Sequence, residues 1–273
     1  MRTMFYVSDR TAITSETIGH SLLAQFETAP DYREVTIPYV DTPEKGAEVV
    51  TQVNAAAEAD GEMPFVFSTL ADPVTRNQIH ESRGLILDLF EGFLGQLEQA
   101  LGAKAVVKRT RSHRISNLSS YEARIAAIDY SLQHDDGARI KDYDKADIIM
   151  LGVSRVGKTP SCLYLAMHFG IRAANYPITE EDLSTSQLPV PVAPFRDRLH
   201  GLTIDPKRLA SIREERRRGS RYASIEQCRS EVRQVEALFK SFNIPFINTT
   251  ITSVEEISTR VVQTRGLDRH TTV

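Results

Sequence analysis

Tryptophan is absent from this chain of 273 residues, and cysteine occurs only twice, at Cys162 and Cys228. Two cysteines so far apart make neither a CxxC pair nor a disulfide framework, which removes the small secreted scaffolds and the zinc knuckles. The histidines show no HExxH or similar short spacing, so they signal no metal centre. An excess of one charge is lacking too. A formal net charge of −3 gives no general attraction to nucleic acid or to an anionic membrane, and neither is expected as a partner. No stretch approaches the roughly 18 apolar residues of a membrane span. The opening MRTMFYVSDR has no signal-peptide core, so the expectation is a soluble protein of the reducing cytoplasm.

What is present is ordinary globular material, with 41% apolar and 25% charged residues. The length suits one large or two ordinary domains. Thr3–Val7 reads as a strand and Ser15–Phe26 as a helix, with Ile18, Leu22, Leu23 and Phe26 on one face. Glu34–Tyr39 reads as a second strand, Pro43 opens a helix to about Ala59, and Pro64–Ser68 is a third strand. Leu85–Leu101 carries a strong apolar stripe. This βαβαβα rhythm predicts an α/β domain built on a parallel sheet over residues 1–105.

Residues 106–145 change character. Lys108–Arg114 is a basic run without apolar period, expected as an exposed loop, either solvated or gripping an acidic partner. Ser119-Ser120-Tyr121-Glu122 then matches a capping box for a helix that stops at His134-Asp135-Asp136-Gly137, where glycine can turn left-handed.

A second α/β unit is expected over residues 146–273. Ile148–Leu151 is a buried-type strand, followed by a glycine loop and an apolar helix ending near Phe169-Gly170. Tyr176–Pro194, with four prolines, reads as a long loop or lid. Leu199–Ile204 is a strand, and Asp205-Pro206 looks like an N-cap followed by proline in the first turn. Ile225, Cys228, Val232, Val235 and Phe239 mark another amphipathic helix. Ile244–Ile247 is a short strand, and Ser253 with Glu256 caps the last helix. No internal repeat is visible in the sequence.

The chemistry concentrates in Gly152-Val153-Ser154-Arg155-Val156-Gly157-Lys158-Thr159, which satisfies G-x-x-x-x-G-K-[ST] at every position. Glycines let the backbone curl so that successive N–H groups point at phosphate oxygens, and the helix behind adds its positive end. Lys158 supplies a mobile charge for the terminal phosphates, and the Thr159 hydroxyl can ligate Mg²⁺. Such a string arises by chance in about one chain in a hundred of this length, and its strand-to-helix setting sharpens it further. The reading is a P-loop phosphotransferase.

Other candidates carry alternatives. Asp135 and Asp136 could orient or deprotonate a hydroxyl nucleophile or hold Mg²⁺ through water, or form an ordinary solvated turn. Asp205 could be a Walker-B-type acid or only an N-cap. Arg216, Arg217 and Arg218 read as an exposed face salt-bridged to Glu214 and Glu215. His134 reads as a cap or surface histidine, and Cys162 as core.

The string Gly152-Val-Ser-Arg-Val-Gly-Lys-Thr-Pro-Ser161 with Tyr164-Leu-Ala166 resembles the bifunctional phosphoenolpyruvate synthase regulatory proteins, which are related to the pyruvate, phosphate dikinase regulatory proteins. The resemblance runs nearly end to end. It takes in Ser8-Asp9-x-Thr11-Ala12-x-Thr14, Ala123–Tyr130, His134–Gly137, Phe169–Pro177, Gly201–Pro206, Ile212–Arg216, Ser220–Ala223 and Ser253–Glu256. It implies an ADP-dependent kinase that phosphorylates a threonine of phosphoenolpyruvate synthase and inactivates it. It also implies the opposing step, in which inorganic phosphate removes the phosphoryl group and pyrophosphate leaves. Gly152–Thr159 maps onto the family's nucleotide loop residue for residue. Gly157, often replaced in dikinase-directed relatives, favours the synthase branch, whereas Arg10 stands where relatives tend to have a small residue. The recurrence of His134–Gly137 strengthens a catalytic or metal-positioning role for Asp135 and Asp136 without saying which acts. A second copy of the chain is a further candidate partner. The competing reading is a small-molecule kinase using ATP, which an N-terminal domain of this size argues against; a nucleotide-gated binding module is a third.

Overall fold

The structure, a computed structural model, describes residues 1–27, 31–105, 118–185 and 187–268, without the side chains of 118–120. The basic run Lys108–Arg114 and the capping residues Ser119 and Ser120 therefore lie outside the described residues and side chains. The chain divides into two compact units, Met1–Arg114 and Ile115–Val273.

In the first unit β1 (Arg2–Ser8) leads to α1 (Ile13–Leu23), β2 (Tyr32–Ile37), α2 (Pro43–Asp60), β3 (Phe65–Thr69), α3 (Pro73–Ile79), β4 (Leu85–Asp88) and α4 (Glu91–Leu101). All pairings are parallel, in the order β2-β1-β3-β4. Strand alternation divides the core between the two faces. Phe5, Val7 and Val66 join Val49, Val53 and Ala56 of α2 on one face, while Met4, Tyr6 and Phe67 pack together on the other. Thr42 caps α2, with Pro43 in its first turn.

Leu85–Leu101 is not one helical stripe. The Asp88 carboxylate accepts from the N–H groups of Phe90 and Glu91 at 2.9 and 3.0 Å, which ends β4 and turns the chain into α4. The apolar residues before that turn are strand and those after it helix. The sequence reading also passed over α3, which Asp72 caps by accepting from the Thr75 N–H.

The second unit runs α5 (Leu118–Gln133), β5 (Ile148–Gly152), α6 (Lys158–Phe169), β6 (Ala173–Pro177), α7 (Glu180–Ser184), β7 (Leu199–Thr203), α8 (Pro206–Arg216), α9 (Ile225–Ser241), β8 (Phe246–Asn248) and α10 (Val254–Arg265). Its sheet is also all parallel, ordered β6-β5-β7-β8. β5 is buried along its whole length at the centre of one large core, and Gly170 ends α6 in the left-handed region. The proline-rich stretch after β6 is more ordered than a plain loop. Thr179 and Asp182 form a reciprocal capping box that starts α7, a signal the sequence contained and the prolines masked. Two parallel sheets flanked by helices bear out the α/β expectation. Among the described residues no helix is long and apolar enough to cross a membrane.

Candidate active site

The glycine loop sits between the carboxyl end of β5 and the start of α6. Two glycines make its path possible, for different reasons. At Gly152 a Cβ would lie 2.6 Å from the Leu202 carbonyl oxygen and 2.8 Å from Val156 Cγ2, so no side chain fits where the loop leaves the sheet beside β7. At Gly157 space is open, but φ is +91°, a conformation that penalises any Cβ. Arg155 adopts φ +79° at the loop's apex, a conformation that side-chain-bearing residues hold only when the surroundings enforce it.

Two buttresses enforce it. Buried Arg213 of α8 donates to the Ser154 carbonyl at 3.1 Å, pairs with Glu231 of α9 at 2.7 Å, and stacks its guanidinium 4.1 Å over the Tyr222 ring. Tyr222 in turn donates to the Ser154 hydroxyl at 2.9 Å. On the other flank the Thr249 hydroxyl donates to the Val156 carbonyl at 3.1 Å. Gly157 gives α6 no side-chain cap, so the N–H groups of its first turn are left for an anion.

Lys158 opens α6 and is buried, its Nζ donating to the Val153 carbonyl at 3.1 Å. Burial lowers its pKa to about 8, against the opposing pull of the Asp136 and Asp135 carboxylates. Thr159 donates its hydroxyl to Asp135 Oδ1 at 2.7 Å. Asp135 and Asp136 occupy a 3-10 turn, Asp135–Gly137, directly after α5. Asn175 of β6 holds that turn. Its backbone N–H donates to the His134 carbonyl at 3.1 Å, its side-chain amide donates to Asp135 Oδ1, and its side-chain oxygen accepts from the Asp136 N–H at 3.0 Å. Asp136 is thereby fixed at φ +48°.

The two aspartates, alike in sequence, differ in place. Asp135 is committed to Thr159 and Asn175. The Asp136 carboxylate takes no hydrogen bond among the described residues and faces an open cleft of about 590 Å³. Lys158, Thr159, Arg216, Arg217 and Tyr222 line the same cleft. Arg216 and Arg217 thus do not form the salt-bridged surface expected of them. Both are exposed, as expected, but neither has an ion-pair partner among the described residues, and both line the cleft.

The remaining candidates fall elsewhere. Asp205 accepts from the N–H groups of Lys207 and Arg208 at 2.8 and 3.1 Å, so it is the N-cap of α8 and not a Walker-B-type acid at the phosphates. His134 occupies the N-cap position of the Asp135–Gly137 turn without a side-chain cap bond, and it is buried and stacked on Tyr130, with ring centroids 3.9 Å apart, so it is not a surface histidine. Cys162 is core as expected, its thiol pushed far up by burial. Ser8–Thr14 belongs to the first unit, at the end of β1. Asn175, Arg213 and Tyr222 carry no local signal of these contacts because they act across the fold, although all three lie inside strings that carried the resemblance.

The family model for the kinase/pyrophosphorylase proteins matches residues 4–262. A protein of Marinobacter nauticus is 50% identical over 98% of this chain and 99% of its own length. One of Stutzerimonas stutzeri is 52% identical over 98% of each, and one of Pseudomonas aeruginosa 50% over 98% and 97%. All three bear the name "Putative phosphoenolpyruvate synthase regulatory protein". A match over nearly the whole chain gives one conclusion: the protein belongs to the kinase/pyrophosphorylase family.

Proposed function

We propose that the protein regulates phosphoenolpyruvate synthase in both directions: it phosphorylates a threonine of that enzyme with ADP as donor, inactivating it, and removes the phosphoryl group with inorganic phosphate. The names of the relatives supply the target. The observation that carries the chemistry is the convergence of Lys158, Thr159, Asp136, Arg216 and Arg217 on one cleft at the mouth of the glycine loop.

In the kinase direction the threonine oxygen attacks the β-phosphorus of ADP, the bond to the α–β bridging oxygen breaks, and AMP leaves. Asp136 accepts the hydroxyl proton, being the cleft carboxylate that takes no hydrogen bond among the described residues. In the opposite direction an oxygen of inorganic phosphate attacks the phosphothreonine phosphorus. The threonine oxygen leaves and takes a proton back from Asp136, and pyrophosphate is released. Pyrophosphate is ADP without its adenosine, so the same N–H groups and Lys158 serve both directions, and catalysis rests on positioning and charge. Thr159 Oγ1 and Asp135 Oδ1, 2.7 Å apart, are hard oxygen donors of the kind Mg²⁺ takes, and they would hold it beside the phosphates. Bound there, Mg²⁺ would offset the negative charge of the transferring group. Arg216 and Arg217 draw the anionic substrate into the cleft.

The test is incubation of the purified protein with phosphoenolpyruvate synthase and β-labelled ADP, followed by phosphosite mapping. Label on one threonine, released as pyrophosphate when inorganic phosphate is added, is the expected result. Transfer from ATP alone, or to a metabolite and not to the protein, would overturn the reading.

A further inference from the structure

A second cavity, of about 300 Å³, opens on the other flank of the glycine loop. It shares Arg155, Gly157, Pro160 and Ile212 with the phosphate cleft, so the two hollows meet at the loop itself. Their linings differ in kind. The first collects Lys158, Thr159, Asp136 and two arginines. The second is walled by Val156, Ile204, Val254 and Ile257, with Thr250 and Thr252, and its charged lining is Arg155 and Arg208. No carboxylate among the described residues lines it.

We infer that this second cavity holds the adenosine of ADP, so that the nucleotide straddles the glycine loop with its base beyond β7 and β8 and its β-phosphoryl group beside Lys158. The inference rests on the function proposed above and adds where the donor lies and which residues select it.

Four observations converge. A nucleoside diphosphate on the loop has one end that reacts and one that continues into sugar and base. The charged cleft suits the reacting end, and the adjoining hollow, with its branched apolar wall, suits a base; its volume is at the lower bound of small-ligand sites. Its position is the second point. In the order β6-β5-β7-β8 the chain leaves β5 toward β6 on one side and resumes at β7 on the other. Ligands of open parallel sheets bind outside the carboxyl ends of the strands at such a reversal, and Ile204 and Thr249, which line the cavity, follow directly on β7 and β8.

Rigidity is the third. Thr249 donates its hydroxyl to the Val156 carbonyl, Thr250 accepts from the Asp205 N–H at 2.8 Å, and Thr252 donates to the Asn248 carbonyl at 3.0 Å. The wall after β8 is therefore tied to the glycine loop and to α8 before any ligand arrives, which lowers the cost of binding. The last point concerns which base. Guanine carries an N1–H and an amino group that a carboxylate would satisfy, and none is offered here. Adenine has only its amino group to satisfy and stacks well on branched apolar side chains.

Phosphorolysis supplies the discriminating test, because inorganic phosphate and pyrophosphate carry no adenosine. Val254→Trp, at the partly exposed start of α10, narrows the hollow from a wall that does not line the phosphate cleft. Calorimetric titration with ADP and with pyrophosphate, beside assays in both directions, reads the outcome. The expected result is ADP affinity down about 10-fold or more, toward that of pyrophosphate, with pyrophosphate affinity and the KM for phosphate within about 2-fold of the parent. Arg208→Glu, an exposed residue of the same rim, should weaken ADP in the same selective manner and stands in if the tryptophan variant fails to fold. Unchanged ADP affinity in a folded variant, or equal losses for ADP and pyrophosphate, would overturn the adenosine site. The proposed function fails by a different sign: a parent protein that transfers no phosphoryl group from ADP to the synthase.

Discussion

The two units repeat one strand order. In each, the first strand lies between the second and the third, and the fourth is at the edge: β2-β1-β3-β4 and β6-β5-β7-β8. In each, the first strand is followed by a loop and by a helix whose N-cap is left-handed and lacks a side-chain cap, Ala12 before α1 and Gly157 before α6. The loops diverge from there. That of the first unit has no glycine, begins its helix with exposed Ile13, and is pinned by neutral contacts: the carbonyls of Ser8 and Arg10 accept from Val40 and Tyr39 at 2.9 and 2.8 Å. That of the second unit has glycines at both ends, begins its helix with buried Lys158, and is braced by the Arg213–Glu231 pair. The comparison teaches that the parallel sheet and its loop are a generic platform. What distinguishes the second unit is a few residues on that platform, Gly152, Gly157 and Lys158, and the braces that hold them.

The largest effect expected from breaking this contrast is at the brace. Arg213→Met leaves Glu231 without its partner in a buried setting and frees the Ser154 carbonyl, so chemical denaturation should show a loss of about 3–5 kcal/mol. A loss below about 1 kcal/mol would mean that the ion pair braces nothing.

Lys158→Ala and Ile13→Ala form a matched pair at the first residue of each helix. The lysine variant should lose about 10²-fold or more in both reaction directions while keeping its circular dichroism spectrum. The isoleucine variant should keep both activities within about 2-fold. Phosphorolysis surviving Lys158→Ala would separate the two activities and turn attention to the loop after β1.

Asp136→Asn should lower turnover at least about 10-fold with little change in ADP affinity, as loss of a proton acceptor requires. Asp135→Asn should instead raise the Mg²⁺ requirement, because Asp135 is tied to Thr159. The reverse pattern would exchange the roles assigned to the pair.

A pH profile probes the buried lysine. Its pKa in the free protein is about 8, so the ammonium is intact below that pH and is lost above it. kcat/KM for ADP should fall on an alkaline limb near pH 8. The limb of kcat should lie higher, because bound phosphates favour the charged form. A profile of kcat/KM flat to about pH 9.5 would contradict the depressed lysine. The linkage has the opposite sign for folding. The unfolded chain keeps this proton to a higher pH, so the group's contribution to stability rises with pH from about 8 toward the ordinary lysine value.

The smallest effect is at the left-handed N-cap of the first unit. Ala12→Gly relieves about 1 kcal/mol of backbone strain and loses a buried methyl group worth about 0.8 kcal/mol, so thermal melting should barely move. A clear destabilisation would show that Ala12 is held by packing alone.

The sequence by itself determined the elements and the cradle. Strand and helix periodicity and capping residues act over a few positions, as does the eight-residue loop, so Gly152–Thr159 and the α/β class were legible without coordinates. The division of Leu85–Leu101 was not, because one Asp88 carboxylate turning back on two N–H groups leaves no mark on an apolar stripe. Only the tertiary structure decided which aspartate faces the cleft, since that depends on Asn175, which lies 39 residues further along the chain from Asp136. It alone placed exposed Arg216 and Arg217 on the cleft, braced Ser154 with Arg213, and showed that two units with no visible sequence repeat share one strand order. Topology follows from which faces are apolar, and many sequences satisfy that. A site is set by contacts between residues far apart in the chain, which no local pattern records.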